Sequence, residues 1–518
     1  VLGVWKRIQD PKSKIQDPFR ILWPVALGLL VMAAAPPASA DDIDRAAEEL
    51  TAKYRGQLDE LAVWCESHGL AEQARKTRSW LRPQDPNKLY LAILPQAVGR
   101  PPLADDAAEN VVQWDARLAE LQRKQATALF DLARKAVLRN RASLAFDLMM
   151  AAIHEYPDHE AIRRILGYQQ FQGQWRSADE VANLRKGMVW HARFGWIAKT
   201  WVHRYDAGQR YANGRWVAAE DDARLHRDIQ SGWIVQTEHY RVRTNHSLEA
   251  GVELGQRLER LYRVWKQLFI RYYASEDQVA SLFDGRGRGR RMDLPRYEVT
   301  YFRDREDYNR HLQATIPNIG ISLGIYIDSV RQAFFFAGKD YDPRTLNHEA
   351  THQLFNESRP VAAAVGRRNN FWVIEGIAMY MESLREEDGF YVLGGCDDLR
   401  MQAARVRLLR DNFYVPLADF TAMGMEQLQA DKRIATLYSQ AAGLTHFLVH
   451  GRQGRYRDAL VSYLAAIYSG QANAGTLAQL TGAGYEDLDR QYRQFMEGKS
   501  ADGSDQGDKR AGALPGRG

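Results

Sequence analysis

The chain has 518 residues, 45% apolar and 26% charged, which is enough for two or more domains with sizeable cores. That balance excludes a fibrous or wholly disordered protein. The formal charge of +5 makes no case for nucleic-acid binding, because Lys6, Arg7, Lys12, Lys14 and Arg20 against Asp10 and Asp17 leave about +2 beyond residue 40.

Residues 1–40 read as a secretory signal peptide. A basic segment precedes the apolar run Ile21 to Ala35, and Ala38-Ser39-Ala40 forms a small-residue cleavage site. The apolar run is short for a membrane span of about 20 residues; an uncleaved anchor is the alternative. No second span is found further along. The expectation is an exported protein, periplasmic or extracellular, with no stable membrane span after cleavage. Cys65 and Cys396 could pair in an oxidising compartment, but they lack any C-x-x-C spacing and form no zinc site by themselves.

Residues 41–230 form a helical N-terminal region. "AAEELTAKYRGQLDELAVWCESHGL" and "NVVQWDARLAELQRKQATALFDLARKAVLRNRASLAFDLMMAAIHEYP" carry apolar residues at three- and four-residue spacings, separated by the proline-rich connection "RPQDPNKLYLAILPQAVGRPP". A short repeat comes next: "QGQWRSADE" and "NGRWVAAED" place Trp175 and Trp216 41 positions apart. These are turn-plus-tryptophan packing units or a repeated binding module. The helical region is also the candidate surface for a protein partner.

From residue 231 the order changes. "GWIVQTEHYRVRTN" alternates as a strand, "LEAGVELGQRLERLYRVWKQLFIRYY" is a long amphipathic helix, "RYEVTYF" a strand and "DREDYNRHLQ" a helix. "ISLGIYIDSVRQAFFFAG" reads as two strands joined by a polar turn. The fold class is α+β, with a catalytic domain over 231–498 built on a mixed sheet and a pair of active-site helices. "GRGRGRR" at 285–291 is a solvated basic loop or a contact for an anionic partner. Residues 499–518 lack apolar periodicity and read as a disordered tail.

The chemistry centres on "TLNHEATHQLF". His348 and His352, four apart, project from one helical face, where two imidazole nitrogens can hold Zn²⁺ while Glu349 faces a water. Such a site needs a third ligand. The extended H-E-x-x-H-x-x-G-x-x-H type is excluded, because Phe355 and Ser358 stand at its glycine and third histidine. A glutamate on a following helix is the other common source. "NNFWVIEGIAMYMESL" has helical spacing from about Trp372 and sets Glu375 among Val373, Ile374, Ile377 and Ala378, where a carboxylate is costly to bury without a partner. A helix N-terminal acid favoured by the macrodipole is the alternative.

"HEATHQLF" followed by "WVIEGIAMYME" resembles the gluzincins, the thermolysin-like zinc metallopeptidases whose third ligand is a glutamate. More narrowly, it is similar to the peptidase-MA-like domains of exported bacterial proteins. The resemblance covers roughly residues 232–498. It implies that His348, His352 and Glu375 bind zinc and that Glu349 is the general base. It also favours Tyr438, on the downstream helix "TLYSQAAGLTHFLVHG", over His446 as donor to the developing oxyanion, although either could instead make an ordinary hydrogen bond. His446 and His450 are also four apart, but no acid between them makes a second site. Asn347 is a supporting group for His348 or a plain helix polar residue. "QAFFFAG" is an edge strand open to an extended peptide, or an interior one.

The expectation is therefore an exported zinc peptidase acting on a peptide or protein substrate. Its competitors are an inactive zinc-containing scaffold and a zinc amidase acting on cell-wall crosslinks.

Overall fold

The computed structural model describes residues 40–81, 85–98, 103–284, 296–339 and 342–498. The expected leader up to Ser39, the basic loop 285–291 and the tail 499–518 lie outside the described residues. The architecture is α+β, with small sheets set among many helices. Among the described residues no helix is long and apolar enough to cross a membrane.

The N-terminal helices Ala40–Ser67, Ala71–Arg78, Glu109–Leu138 and Ala142–Glu155 follow the apolar spacing of their sequence. On Glu109–Leu138, Trp114 and Leu118 join a local cluster with Tyr54, Leu58 and Leu61. From Ala126 onward the same helix enters the main core. The buried Glu155 carboxylate accepts from Tyr54 Oη at 2.7 Å and from Trp80 Nε1 at 2.8 Å, tying three segments together.

The region expected to end at residue 230 shares its core with the C-terminal part of the chain. Ala145, Met149 and Ile153 pack in one cluster with Leu258, Leu346, Ile377 and Leu444. The proline-rich connection also contains a strand, Lys88–Ala92, which buries Leu89 and Leu91 and pairs antiparallel with Phe390–Gly394. Arg457 Nη1 reaches Asp147 at 2.6 Å across the same boundary. Flanking prolines mark the connection, but the alternating Leu-Tyr-Leu between them supplies a strand wherever a partner edge exists.

The repeat has three units. Hairpins Tyr168–Phe171/Gln174–Ser177, Met188–His191/Gly195–Ala198 and Gln209–Ala212/Arg215–Ala218 each lead into a short helical segment. Trp196 stands between Trp175 and Trp216, so the 41-residue spacing holds two units. The middle one reads Phe-Gly-Trp, where the others have Gly-x-Trp. Trp175 is buried and donates to Asp158 at 2.6 Å; Trp216 packs on Trp201 and Tyr205.

A five-stranded mixed sheet runs in the order Ile325–Ile327, Gln332–Phe336, Tyr297–Phe302, Tyr240–Thr244, Trp233–Gln236. The three middle strands are parallel and both edges antiparallel. Residues 233–244, read as one strand, are a hairpin. Its turn is held by Glu259, which accepts from Thr237 Oγ1 at 2.7 Å and from the His239 N–H at 2.6 Å. "QAFFFAG" supplies an interior strand, and the edge is the short Ile325–Ile327.

Two helices carry the motif. Pro343–Glu357 starts with Asp342, whose side chain accepts from the Arg344 N–H at 2.9 Å, and with proline at its first position, where no N–H is missed. It turns Leu346, Ala350 and Leu354 into the core. The helix Phe371–Met381 is buried at every residue and crosses the long helix Ile434–Gly454.

Glycine inside a helix costs about 1 kcal/mol relative to alanine, and Gly376 is where this crossing needs it. A Cβ there would run into Thr445 Oγ1 and lie 2.8 Å from the Ala441 carbonyl oxygen. Gly376→Ala should therefore destabilise the fold by about 1–3 kcal/mol despite its better helix propensity, read as a lower thermal midpoint. A raised midpoint would show slack at the crossing.

Candidate metal centre

The packing of Pro343–Glu357 against Phe371–Met381 brings His348, His352 and Glu375 together. His348 Nε2 lies 3.2 Å from His352 Nε2 and 3.5 Å from Glu375 Oε2, and His352 Nε2 lies 3.7 Å from Glu375 Oε1. A tetrahedral zinc with ligands about 2.0–2.1 Å away sets its donors about 3.3–3.4 Å apart. With the nearer Glu375 oxygen taken for each ring, the three side chains come close to that spacing. Among the described residues they are the one group of three or more His, Cys, Asp or Glu placed to hold an ion.

All three side chains are largely withdrawn from solvent, and Glu375 is 5% exposed. The two imidazoles respond in opposite senses. Burial pushes His352 down to about 4. Burial opposes a proton on His348 as well, but hydrogen bonds to Glu375 and Glu382 outweigh it and raise that ring to about 10. For Glu375, burial works against the carboxylate, yet the His348 hydrogen bond and the His352 charge hold it below the usual range. Such a cluster of acids and imidazoles is stabilised by a shared cation.

Glu349 lies beside His348 on the motif helix and is 2% exposed. Its Oε2 accepts the Tyr326 N–H at 2.9 Å, so the outward backbone donor of the edge strand orients it. Burial pushes its carboxyl up to about 7, with the His348 charge and the Tyr326 N–H partly offsetting.

Tyr438 sits against Glu375 and Gln429. Burial, then the Glu375 charge, push its phenol well above the usual value, which keeps it a hydroxyl donor. His446 goes elsewhere. It packs edge-on to Tyr380 and its Nε2 lies 3.4 Å from Asp398 Oδ1; none of its described contacts reaches the three ligands. One helical face held both candidates in sequence, but eight residues of rise carry His446 past the centre. His450 pairs with the Tyr380 hydroxyl at 2.9 Å, and burial drives its pKa well down. Cys65 is buried and Cys396 exposed, both as free thiols.

The group behind His348 is Glu382. Its Oε1 lies 2.9 Å from His348 Nδ1, which leaves Nε2 to face the other ligands. Arg400 holds Glu382 in turn, with Nε 2.8 Å from Oε2 and Nη2 2.9 Å from Oε1. The signal for Glu382 was present, since seven residues after Glu375 is two helical turns and the same face. Nothing in the spacing marked Arg400.

Residues 343–469 match the family described as "Protein of unknown function (DUF1570)". That segment opens at the first residue of the motif helix and contains both ligand helices, Glu382, Arg400 and Tyr438. No curated protein matches the chain.

Wild-type protein dialysed against zinc and then against buffer should retain about one ion per chain by elemental mass spectrometry, whereas His348→Ala and Glu375→Ala should retain almost none.

Proposed function

We propose that this chain is an exported zinc-dependent peptidase. The observation that carries the reading is the joint placement of three zinc-spaced donors and a buried carboxylate, Glu349, on two crossing helices.

His348, His352 and Glu375 would hold the metal. A zinc ion there supplies Lewis acidity to a water and to a substrate carbonyl. Glu349 takes the proton from the attacking water and passes it to the leaving amine. Its anchor on the Tyr326 N–H keeps the carboxylate aimed across the cluster. The protonated phenol of Tyr438, beside Glu375, is the available donor for the carbonyl oxygen as it gains charge. With an ion bound, Glu382 would keep the His348 proton on Nδ1, so that Nε2 presents its lone pair.

Glu349→Gln should keep its zinc and lose peptide hydrolysis by about 10²–10⁴-fold, measured by mass spectrometry on a mixed peptide library. On the best-cleaved peptide, Tyr438→Phe should lower kcat by about 10–10³-fold with little change in KM. Wild type that holds zinc but cleaves no peptide would point to the scaffold reading. Cleavage confined to cell-wall fragments would make the protein an amidase.

A further inference from the structure

We infer that Arg400 is a positioning residue for the ligand His348, acting through Glu382; the inference rests on the metal-binding part of the proposed function. An imidazole presents a lone pair at Nε2 only if its proton stays on Nδ1, and that requires an acceptor fixed behind the ring. Glu382 is that acceptor, but it stands just past the end of the helix Phe371–Met381, at the turn into the strand Arg385–Glu387. A carboxylate on such a turn can rotate.

Arg400 removes that freedom. Its guanidinium takes both carboxylate oxygens, Nε to Oε2 at 2.8 Å and Nη2 to Oε1 at 2.9 Å, so Oε1 is held where His348 Nδ1 meets it. A planar two-point fork fixes a carboxylate plane as a lysine ammonium cannot. The pair differs from an ordinary surface salt bridge, which is worth about 0–1 kcal/mol. The Arg400 side chain is 44% exposed, but that of Glu382 is only 4% exposed and needs a permanent counter-charge.

Arg400 is itself anchored, because Asp398 Oδ1 accepts its backbone N–H and that of Met401 at 3.0 Å each. Asp398 is the acid that His446 faces at 3.4 Å.

The test is a double-mutant cycle on zinc affinity, measured on the full chain by competition with a chromophoric chelator, with the Co²⁺ absorption spectrum as a second readout. Arg400→Met should weaken zinc binding about tenfold and Arg400→Lys should recover only part of that loss. Glu382→Ala should weaken binding at least as much. Adding Arg400→Met to Glu382→Ala should change nothing further, and circular dichroism should show every variant folded. Wild-type affinity in Arg400→Met, full recovery in Arg400→Lys, or additive losses in the double variant would overturn the inference while leaving the metal site standing. A wild type that takes up no zinc would overturn both.

Discussion

A buried imidazole, a half-buried one and three buried carboxylates meet where the helices Pro343–Glu357 and Phe371–Met381 pack, and the surrounding structure is organised around that concentration of ionisable groups. Each would be expensive in an apolar interior on its own. Here every one has a partner: His348 faces Glu375 and Glu382, His352 faces Glu375, Glu349 takes a strand N–H, and Glu382 takes a guanidinium. The spacing of the three inner groups is close to that of the donors around a tetrahedral ion.

Holding helices close enough for this requires an unusually tight frame. Gly376 lets the second ligand helix press its backbone against Ala441 and Thr445 on the long helix. The entry of the ligand helix is fixed by Asn370 in a left-handed conformation, its side-chain oxygen accepting from Tyr463 Oη at 2.6 Å. On the other side, Leu346, Ala350 and Leu354 root the motif helix in the same core as the long helix Leu248–Leu268. The N-terminal helices complete this core, and the connection between them supplies a strand to one of its sheets. They are part of the frame that positions the site.

Much of the local structure was legible in the sequence. Three- and four-residue apolar spacing marked the helices, and the break of pattern near residue 231 marked the start of the mixed sheet. The H-E-x-x-H stretch, together with one acid set in an apolar helix, named the three residues that the tertiary structure brings within 3.2–3.7 Å of one another. Readings failed where local pattern has more than one tertiary use. Residues 233–244 alternate throughout, so nothing local announced the turn that Glu259 holds. "QAFFFAG" is apolar enough for an interior or an edge position, and only its two neighbours decided. Lys88–Ala92 became a strand because Phe390–Gly394, some three hundred residues on, offered an edge.

The sequence by itself determined which side chains could form a metal centre and on which helical faces they stand, because helical periodicity is a local property of the chain. Apart from Glu382, two turns on from Glu375, the groups that support that centre were decided by the tertiary structure. Tyr438 and His446 share one helix, yet one meets Glu375 and the other Asp398, because the helix axis runs past the ligands rather than into them. Arg400 reaches Glu382 from a separate helix, and no periodicity links the two. Contacts between elements depend on how the elements pack, and packing is set by the whole core.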